Sequence, residues 1–343
     1  MAAMASSLVI QTSFLGDTVL TTPLLVQLAR RGEVDVVTTP ASAALLANHP
    51  SVRTVIAYDK RGADRGLAGF LSLARRLRET TYDVAFLAQG SLRSAALALV
   101  AGIPSRVGFD TSAGRWFSTR RVAYREDLHH AARLLRLARP NGRPATPDEV
   151  RPSLHPGDDE RSAVNALLAH HGVAPGEPLI ALAPGSVWAT KRWPYYAELA
   201  TRMERHGRVV IVGGADDADL ARSIVAAAPR AIDATGHLSL LASAELIGRA
   251  GAIVTNDSAP MHLASAMGTP TLAIFGPTVP AFGFGPLAPT SIVVGHVGLT
   301  CRPCDRHGPQ RCPLGHFRCM RELDVDMVAE QVRSLLPSRD ADA

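Results

Sequence analysis

The sequence predicts an α/β protein built from two doubly wound domains, and three observations carry that reading. Its 343 residues suit two domains of roughly 150 residues each. Short Val- and Ile-rich runs alternate with longer helical stretches, the pattern of parallel strands joined by crossover helices. The alternation then stops at 139–157, RPNGRPATPDEVRPSLHPG, where five prolines and two glycines mark a linker, and restarts beyond it. The expected domains are therefore 1–155 and 156–343.

In the first domain, strands are expected at 7–12 (SLVIQT), 34–39 (VDVVTT), 52–57 (VRTVIA), 83–88 (DVAFLA) and 105–109. Helices are expected between them, at 18–31 and 67–79 among others. In the second domain the strand runs are 179–183 (LIALA), 208–213 (RVVIVG), 252–256 (AIVTN), 271–275 (TLAIF) and 291–295. Ligands of such sheets bind beyond the carboxyl ends of the strands, so the cleft between the domains is the expected site.

Composition narrows the classes. With 47% hydrophobic and 20% charged residues, the chain reads as an ordinary globular protein, not a disordered or collagen-like one. No apolar run approaches the roughly 20 residues of a membrane span. The start, MAAMASSLVIQT, lacks a basic leader segment, so a cytoplasmic protein is expected. Of 36 basic residues only Lys60 and Lys191 are lysines. Residues 1–155 carry a net +8 and the remainder −3, which suits an anionic partner for the first half. Nucleic acid is an unfavoured partner, because aromatics are only 5% and do not interleave with the basic residues.

Three segments carry candidate chemistry. After the first strand, a loop with Gly16 leads into a helix expected to begin at Asp17 or Thr18. Asp17 is there either an N-cap or a general base. Gly16 permits close backbone approach, and the helix start suits a phosphate. At 183–194, APGSVWATKRWP, Ser186, Thr190, Lys191 and Arg192 precede a helix opening near Pro194. Hydroxyls and a cation there form a diphosphate cradle, though GxxxxGK[ST] is absent. At 252–276 a strand runs into Asn256-Asp257-Ser258 and a helix from Ala259 or Pro260, with His262 one turn in on the side of Ser258. Read alone, His262 is a buried core histidine. Asp216 and Asp217, after the strand at 208–213, offer a carboxylate for ribose hydroxyls.

The four cysteines, Cys301, Cys304, Cys312 and Cys319, are spaced C-x2-C-x7-C-x6-C with His307 and His316 among them. Structural zinc on the one hand, and a reduced thiol cluster or a redox-sensitive lid on the other, are equally compatible with that spacing. An NAD-dependent oxidoreductase is disfavoured, since no G-x-G-x-x-G follows a strand.

Taken in order, GDTVLTTPLL, PGSVWATKRWP, TNDSAPMHLASAMGTPTLAIFGPT and the tail CRPC…RCPLGHFRCM resemble glycosyltransferase family 9 over nearly the whole chain. Within it, the closer resemblance is to ADP-heptose:lipopolysaccharide heptosyltransferases of the second type, on the cysteine-rich tail. The resemblance implies a GT-B fold, two Rossmann-like domains facing across a cleft. Residues 1–155 would bind the acceptor. Residues 156–343, with the Cys-rich tail 301–319, would bind the nucleotide sugar. It implies inverting transfer of heptose from ADP-heptose to the lipopolysaccharide inner core, with no cofactor required for catalysis. The acceptor would be a lipid at the inner face of the cytoplasmic membrane, and the enzyme cytoplasmic or peripheral there.

Carried onto this sequence, the family's base is Asp17, with Gly16 beside it. Its phosphate hydroxyls and lysine fall on Ser186, Thr190 and Lys191, and its DSG-type loop on Asp257, Ser258, Ala259 and His262. Ala259 departs from the glycine often found there. Asp216 is the first choice for the ribose, with Leu238 and Leu240 near the adenine. Arg106, Arg115, Arg120, Arg121 and Arg125 cluster in the basic half, suited to acceptor phosphates or a membrane surface. The same residues are compatible with another nucleotide sugar or acceptor, an epimerase, or a non-enzymatic nucleotide-binding protein.

Overall fold

A computed structural model describes residues 6–337. Residues 1–5, on which part of the leader reading rests, and 338–343 lie outside the described residues. The chain divides into two compact units, Met1–His155 and Pro156–Ala343.

The first unit runs β1 (Ser7–Gln11), α1 (Leu15–Ala29), β2 (Val34–Thr38), α2 (Pro40–Leu46), β3 (Thr54–Ala57), α3 (Gly66–Thr80), β4 (Val84–Leu87), α4 (Leu92–Val100) and β5 (Ser105–Phe109). A 3-10 turn (Arg115–Phe117), β6 (Arg120–Val122), α5 (His130–Ala138) and α6 (Pro147–Val150) complete it. Its strands form one parallel sheet in the order β3-β2-β1-β4-β5-β6.

The second unit runs α7 (Asp158–His170), β7 (Leu179–Ala183), a 3-10 turn (Ala189–Lys191), α8 (Tyr196–Met203), β8 (Arg208–Ile211), α9 (Ala218–Ala227), β9 (Ile232–Asp233) and α10 (Leu240–Arg249). It continues with β10 (Ala252–Asn256), α11 (Ala259–Met267), β11 (Thr271–Phe275), β12 (Ser291–Gly295), α12 (Arg318–Arg321) and α13 (Val325–Leu335). Its parallel sheet has the order β12-β11-β10-β7-β8-β9. Counted within each unit, both sheets follow 3-2-1-4-5-6, the Rossmann order.

The physical basis is plain in the strands. Every residue of β1, β2, β7, β10 and β11 is buried, as parallel strands covered on both faces require. One face of the first sheet is covered by α3 and α4 through Leu73, Leu77, Leu97 and Ala98. The other is covered by α1 and α5 through Leu24, Leu25, Leu28, Leu134 and Leu137. In the second unit α8, α9 and α13 share a core with β7, β8 and β11.

The structure corrects several sequence expectations. β6 and β9 are short edge strands of three and two residues, with no apolar run to announce them. The linker at 139–157 contains a helical turn, α6, whose Thr146 and Glu149 form a capping box. Most importantly, α1 begins at Leu15, so Gly16 is a residue of its first turn and Asp17 is the third helical residue, not an N-cap.

Pro23 lies inside α1 and cannot donate to the carbonyl of Val19. The Thr22 hydroxyl donates to that carbonyl instead, at 2.8 Å, which keeps the helix intact behind Asp17. Among the described residues, no helix is long and apolar enough to cross a membrane.

Candidate active site

In a sheet of this order the chain reverses direction of progress between the first and fourth strands, and ligands gather there. In the first unit that point lies between β1 and β4, and the polar groups converge on it. The Thr12 hydroxyl donates to Gln89 Oε1 at 2.7 Å, joining the loops after β1 and β4. Lys60, from the loop after β3, donates to the Thr12 carbonyl at 2.8 Å. Burial, then repulsion from Arg61 and Arg93, pulls its ammonium below the ordinary lysine range. Lys60 is a polar residue of this edge that motif reading missed, although it is one of only two lysines.

Asp17 stands at the same edge. Its carboxylate accepts the Phe14 backbone N–H at 3.3 Å, holding the chain at the helix start. His130 Nε2 lies 3.7 Å from Asp17 Oδ1, and both side chains keep partial exposure, 12% and 17%. The neighbour arises because α1 and α5 pack together, which places the first residue of α5 beside the first turn of α1. Nothing in the local sequence around His130 signals that encounter.

The candidate arginines separate. Arg106 is occupied within the fold, its guanidinium donating to the carbonyls of Phe117 and Ile103, each at 2.6 Å. Arg125 pairs with Asp127 at 2.6 Å. Arg115 and Arg121 instead lie over the ring of Trp116, 5.0 and 5.3 Å from its centroid. Arg120 is exposed on β6.

The second unit repeats the geometry with a different chemistry. Its switch point lies between β7 and β10, and the Lys191 and Asp257 loops leave those two strands. Lys191 Nζ donates to Asp257 Oδ2 at 2.6 Å, and the Thr278 hydroxyl donates to the same oxygen at 2.7 Å. The pair is almost enclosed, 7% and 11% exposed. Lys191 Nζ also lies 5.2 Å from the Trp188 ring, a cation–π distance. Asn256, fully buried, braces the two loops, donating to Pro184 O at 2.8 Å and accepting from the Trp193 N–H at 3.2 Å.

Ser258 is the N-cap of α11 with Ala259 first in the helix, as expected. His262 is buried one turn further on. Ser186 accepts from Arg192 Nε through its carbonyl at 2.9 Å. The Thr190 hydroxyl donates to the Pro309 carbonyl.

The carboxylates after β8 are sorted by burial. Asp216 is exposed. Asp217 is half-buried and accepts the Gly214 N–H at 3.1 Å. It lies so close to Gly185 and Gly213 that a Cβ at either would stand 2.3 and 2.7 Å from its oxygens. Glycine at both positions thus lets a carboxylate rest on the backbone of the Ser186 loop. Burial raises the Asp217 carboxyl above its ordinary range. Leu238 and Leu240 are partly buried around the N-terminus of α10.

The cysteine segment packs on the Lys191 loop. Gln310 accepts the Ala189 N–H at 3.1 Å and donates to the Val187 carbonyl at 2.9 Å. His307 stacks on Trp188 at 5.3 Å, and the Cys304 N–H donates to the Pro277 carbonyl at 2.9 Å. Cys301, Cys304, Cys312 and Cys319 are free thiols. The Cys304 thiol donates to the Cys301 carbonyl at 3.1 Å, and burial pushes the Cys319 thiol up to about 11. Among the described residues no group of three or more His, Cys, Asp or Glu is arranged to hold a metal ion.

The model of glycosyltransferase family 9 (heptosyltransferase) matches residues 70–313. The chain belongs to glycosyltransferase family 9. It is 31% identical to lipopolysaccharide heptosyltransferase 1 of Pseudomonas aeruginosa, covering 96% of this chain and 97% of that one. It is 29% identical to lipopolysaccharide heptosyltransferase 2 of Escherichia coli, covering 80% and 84%. The solved structure of E. coli ADP-heptose lps heptosyltransferase II superposes with a TM-score of 0.78 at 26% identity, covering 96% and 98%. The fold of this family 9 glycosyltransferase is the GT-B fold.

Proposed function

We propose that this family 9 enzyme transfers heptose from ADP-heptose to the inner core of lipopolysaccharide, on an acceptor of the heptosyl-Kdo-lipid A type. The carrying observation is the contrast between the two switch points: a partly exposed carboxylate, Asp17, at one, and an enclosed cation, Lys191, at the other. The names of its relatives, which include lipopolysaccharide heptosyltransferases and an ADP-heptose enzyme, support the donor and acceptor.

The reaction is a single inverting displacement. The acceptor hydroxyl attacks the anomeric carbon opposite the diphosphate, the bond from that carbon to the diphosphate oxygen breaks, and Asp17 takes the hydroxyl proton. ADP departs with the bond electrons. Lys191 has three N–H groups, of which Asp257 Oδ2 and the Asp257 carbonyl take two. The third, with backbone N–H groups of the Ser186 loop and of the α11 N-terminus, meets the diphosphate charge without a metal. Asp217, not Asp216, is the better candidate for the ribose, because it is the one held against the Ser186 loop. The enzyme works at the cytoplasmic face of the inner membrane, where such an acceptor presents its sugars.

The test is transfer from ADP-heptose to core acceptors with and without a first heptose, read by mass spectrometry, in wild type and Asp17→Asn, with and without EDTA. The expected result is addition to the heptose-bearing acceptor, unaffected by EDTA and lost in the variant. Addition only to the heptose-free acceptor reassigns the step. No transfer by a folded protein that still binds ADP overturns the donor.

A further inference from the structure

The layer made by α3, α4 and the 3-10 turn Arg115–Phe117 covers one face of the first sheet. Its inward side is ordinary core, with Leu73, Leu77, Leu97 and the partly buried Phe117 in one cluster. Its outward side is not an ordinary surface. Leu67 and Trp116 are 71% and 70% exposed, and Leu71, Leu92 and Leu99 are exposed with them.

The spacing shows that these residues form faces. Leu67 and Leu71 are one helical turn apart on α3, and Leu92 and Leu99 are two turns apart on α4. Gly114 joins the turn to α4, since a Cβ there would stand 3.3 Å from Leu92 Cα. The helices on the opposite face of the same sheet, α1, α2 and α5, expose no large hydrophobic residue along their lengths among the described residues, apart from Phe14 at the N-cap of α1.

Charge selects the partner. Residues 61–80 hold five arginines and two acids, and residues 91–121 hold five arginines and one acid. Of the three acids, Asp64 accepts the Asp59 N–H, Glu79 pairs with Arg75, and Asp110 accepts the Tyr124 N–H. Arg115 and Arg121 flank the exposed Trp116 ring. A symmetric dimer through this face would set arginine against arginine. An anionic bilayer offers both complements: headgroup charge for the guanidinium groups and an interfacial zone for Trp and Leu.

We infer that the outward face of α3, α4 and the Arg115–Phe117 turn is a docking surface for an anionic lipid bilayer, with Trp116 and the α3 leucines as the inserted residues. The inference rests on the reading of a membrane-borne acceptor. It adds which side of the first unit meets the lipid.

The test is co-sedimentation of the full chain with vesicles of phosphatidylcholine alone, or of equal parts phosphatidylcholine and phosphatidylglycerol. The wild type should bind the mixed vesicles and not the neutral ones, with binding weakened by salt. The double variant Leu71→Ser/Trp116→Ala, altered only at exposed positions, should bind about tenfold or more weakly. Its transfer to a deacylated, water-soluble acceptor should match wild type, while transfer to acceptor embedded in mixed vesicles should fall. Wild-type binding that ignores phosphatidylglycerol, or a double variant that binds as well as wild type, would overturn the inference. So would a wild-type dimer in sedimentation equilibrium that the double variant abolishes. Failure of the wild type on the water-soluble acceptor would overturn the proposed reaction instead, and vesicle binding would still be read independently.

Discussion

The two units share a strand order and place their polar groups at the same topological point, yet they treat those groups in opposite ways. In the second unit the two central candidates are restrained. Lys191 is paired with Asp257, Asp257 also accepts from Thr278, and the loop is braced by Asn256 and overlaid by the cysteine segment. In the first unit Asp17 has one backbone N–H and a histidine at 3.7 Å, and it stays partly exposed. The difference fits the chemistry each role demands. A group that stabilises departing charge works best when it is fixed in advance. A base must meet a hydroxyl that arrives with the acceptor.

The largest effect should come from the less restrained side. If Asp17 is the proposed base, Asp17→Asn removes the proton acceptor and keeps the shape, so kcat should fall by about 10²–10⁴-fold. ADP affinity and melting temperature should stay near wild type, because Asp17 makes a single backbone hydrogen bond. Equal losses in kcat and in ADP affinity would break the division of labour between the units.

On the restrained side the same kind of change should damage structure as well as binding. Lys191→Met leaves Asp257 enclosed without its cation, and loss of one partner from a buried pair costs about 3–5 kcal/mol. Asp257→Asn leaves Lys191 in the mirror situation. Both single variants should melt early and bind ADP weakly, and the double variant should recover stability without recovering affinity. Calorimetric melting with ADP titration checks this. Single variants as stable as wild type would show that the pair is not the restraint it resembles.

Much of this was legible in the sequence, and the gaps have physical causes. The runs SLVIQ, LIALA and TLAIF are continuous because parallel strands are covered on both faces, so they stand out. RRV at β6 and ID at β9 are short edge strands with no comparable run. The start of α1 differs from the expected one because Gly16 reads as loop and Asp17 as a cap, whereas Phe14 is the N-cap. The T-P-D-E at 146–149 did carry a capping-box signal inside a segment read as linker. Lys191 and Asp257 each stand out by their loops, but their pairing across 66 residues is tertiary. The choice of Asp217 over Asp216 depends on Gly185 and Gly213, which touch it only in the fold.

That choice gives a sharper test of a smaller effect. Burial holds the Asp217 carboxyl above its ordinary 3.8, so ionising it works against folding. The sign follows: the folded state retains the proton to higher pH, and stability contributed by the protonated form is lost as pH rises from below 3.8 through the raised value. At neutral pH, Asp217→Asn should therefore keep or raise the melting temperature, by about 1–3 °C, while weakening ADP binding. Asp216→Asn should change neither. A loss of ADP affinity confined to Asp216→Asn would return the ribose to the exposed residue.

The contrast with the least expected effect on transfer is an acid lability of the first unit. His49 is buried against His155, ring centroids 5.0 Å apart, and burial and then His155 lower it from 6.5 to about 4. A histidine that is harder to protonate when folded contributes stability that is complete above pH 6.5 and is lost as pH falls towards 4. Melting of the wild type should drop over that window by about 5 °C more than melting of His49→Gln. Transfer measured at pH 8, where both forms are neutral, should be the same. Since the His49 site lies wholly within the first unit, amide exchange should locate the early opening in residues 40–57 and 150–155. Opening that begins around Lys191 instead would make the second unit the weaker one in acid and reverse the comparison.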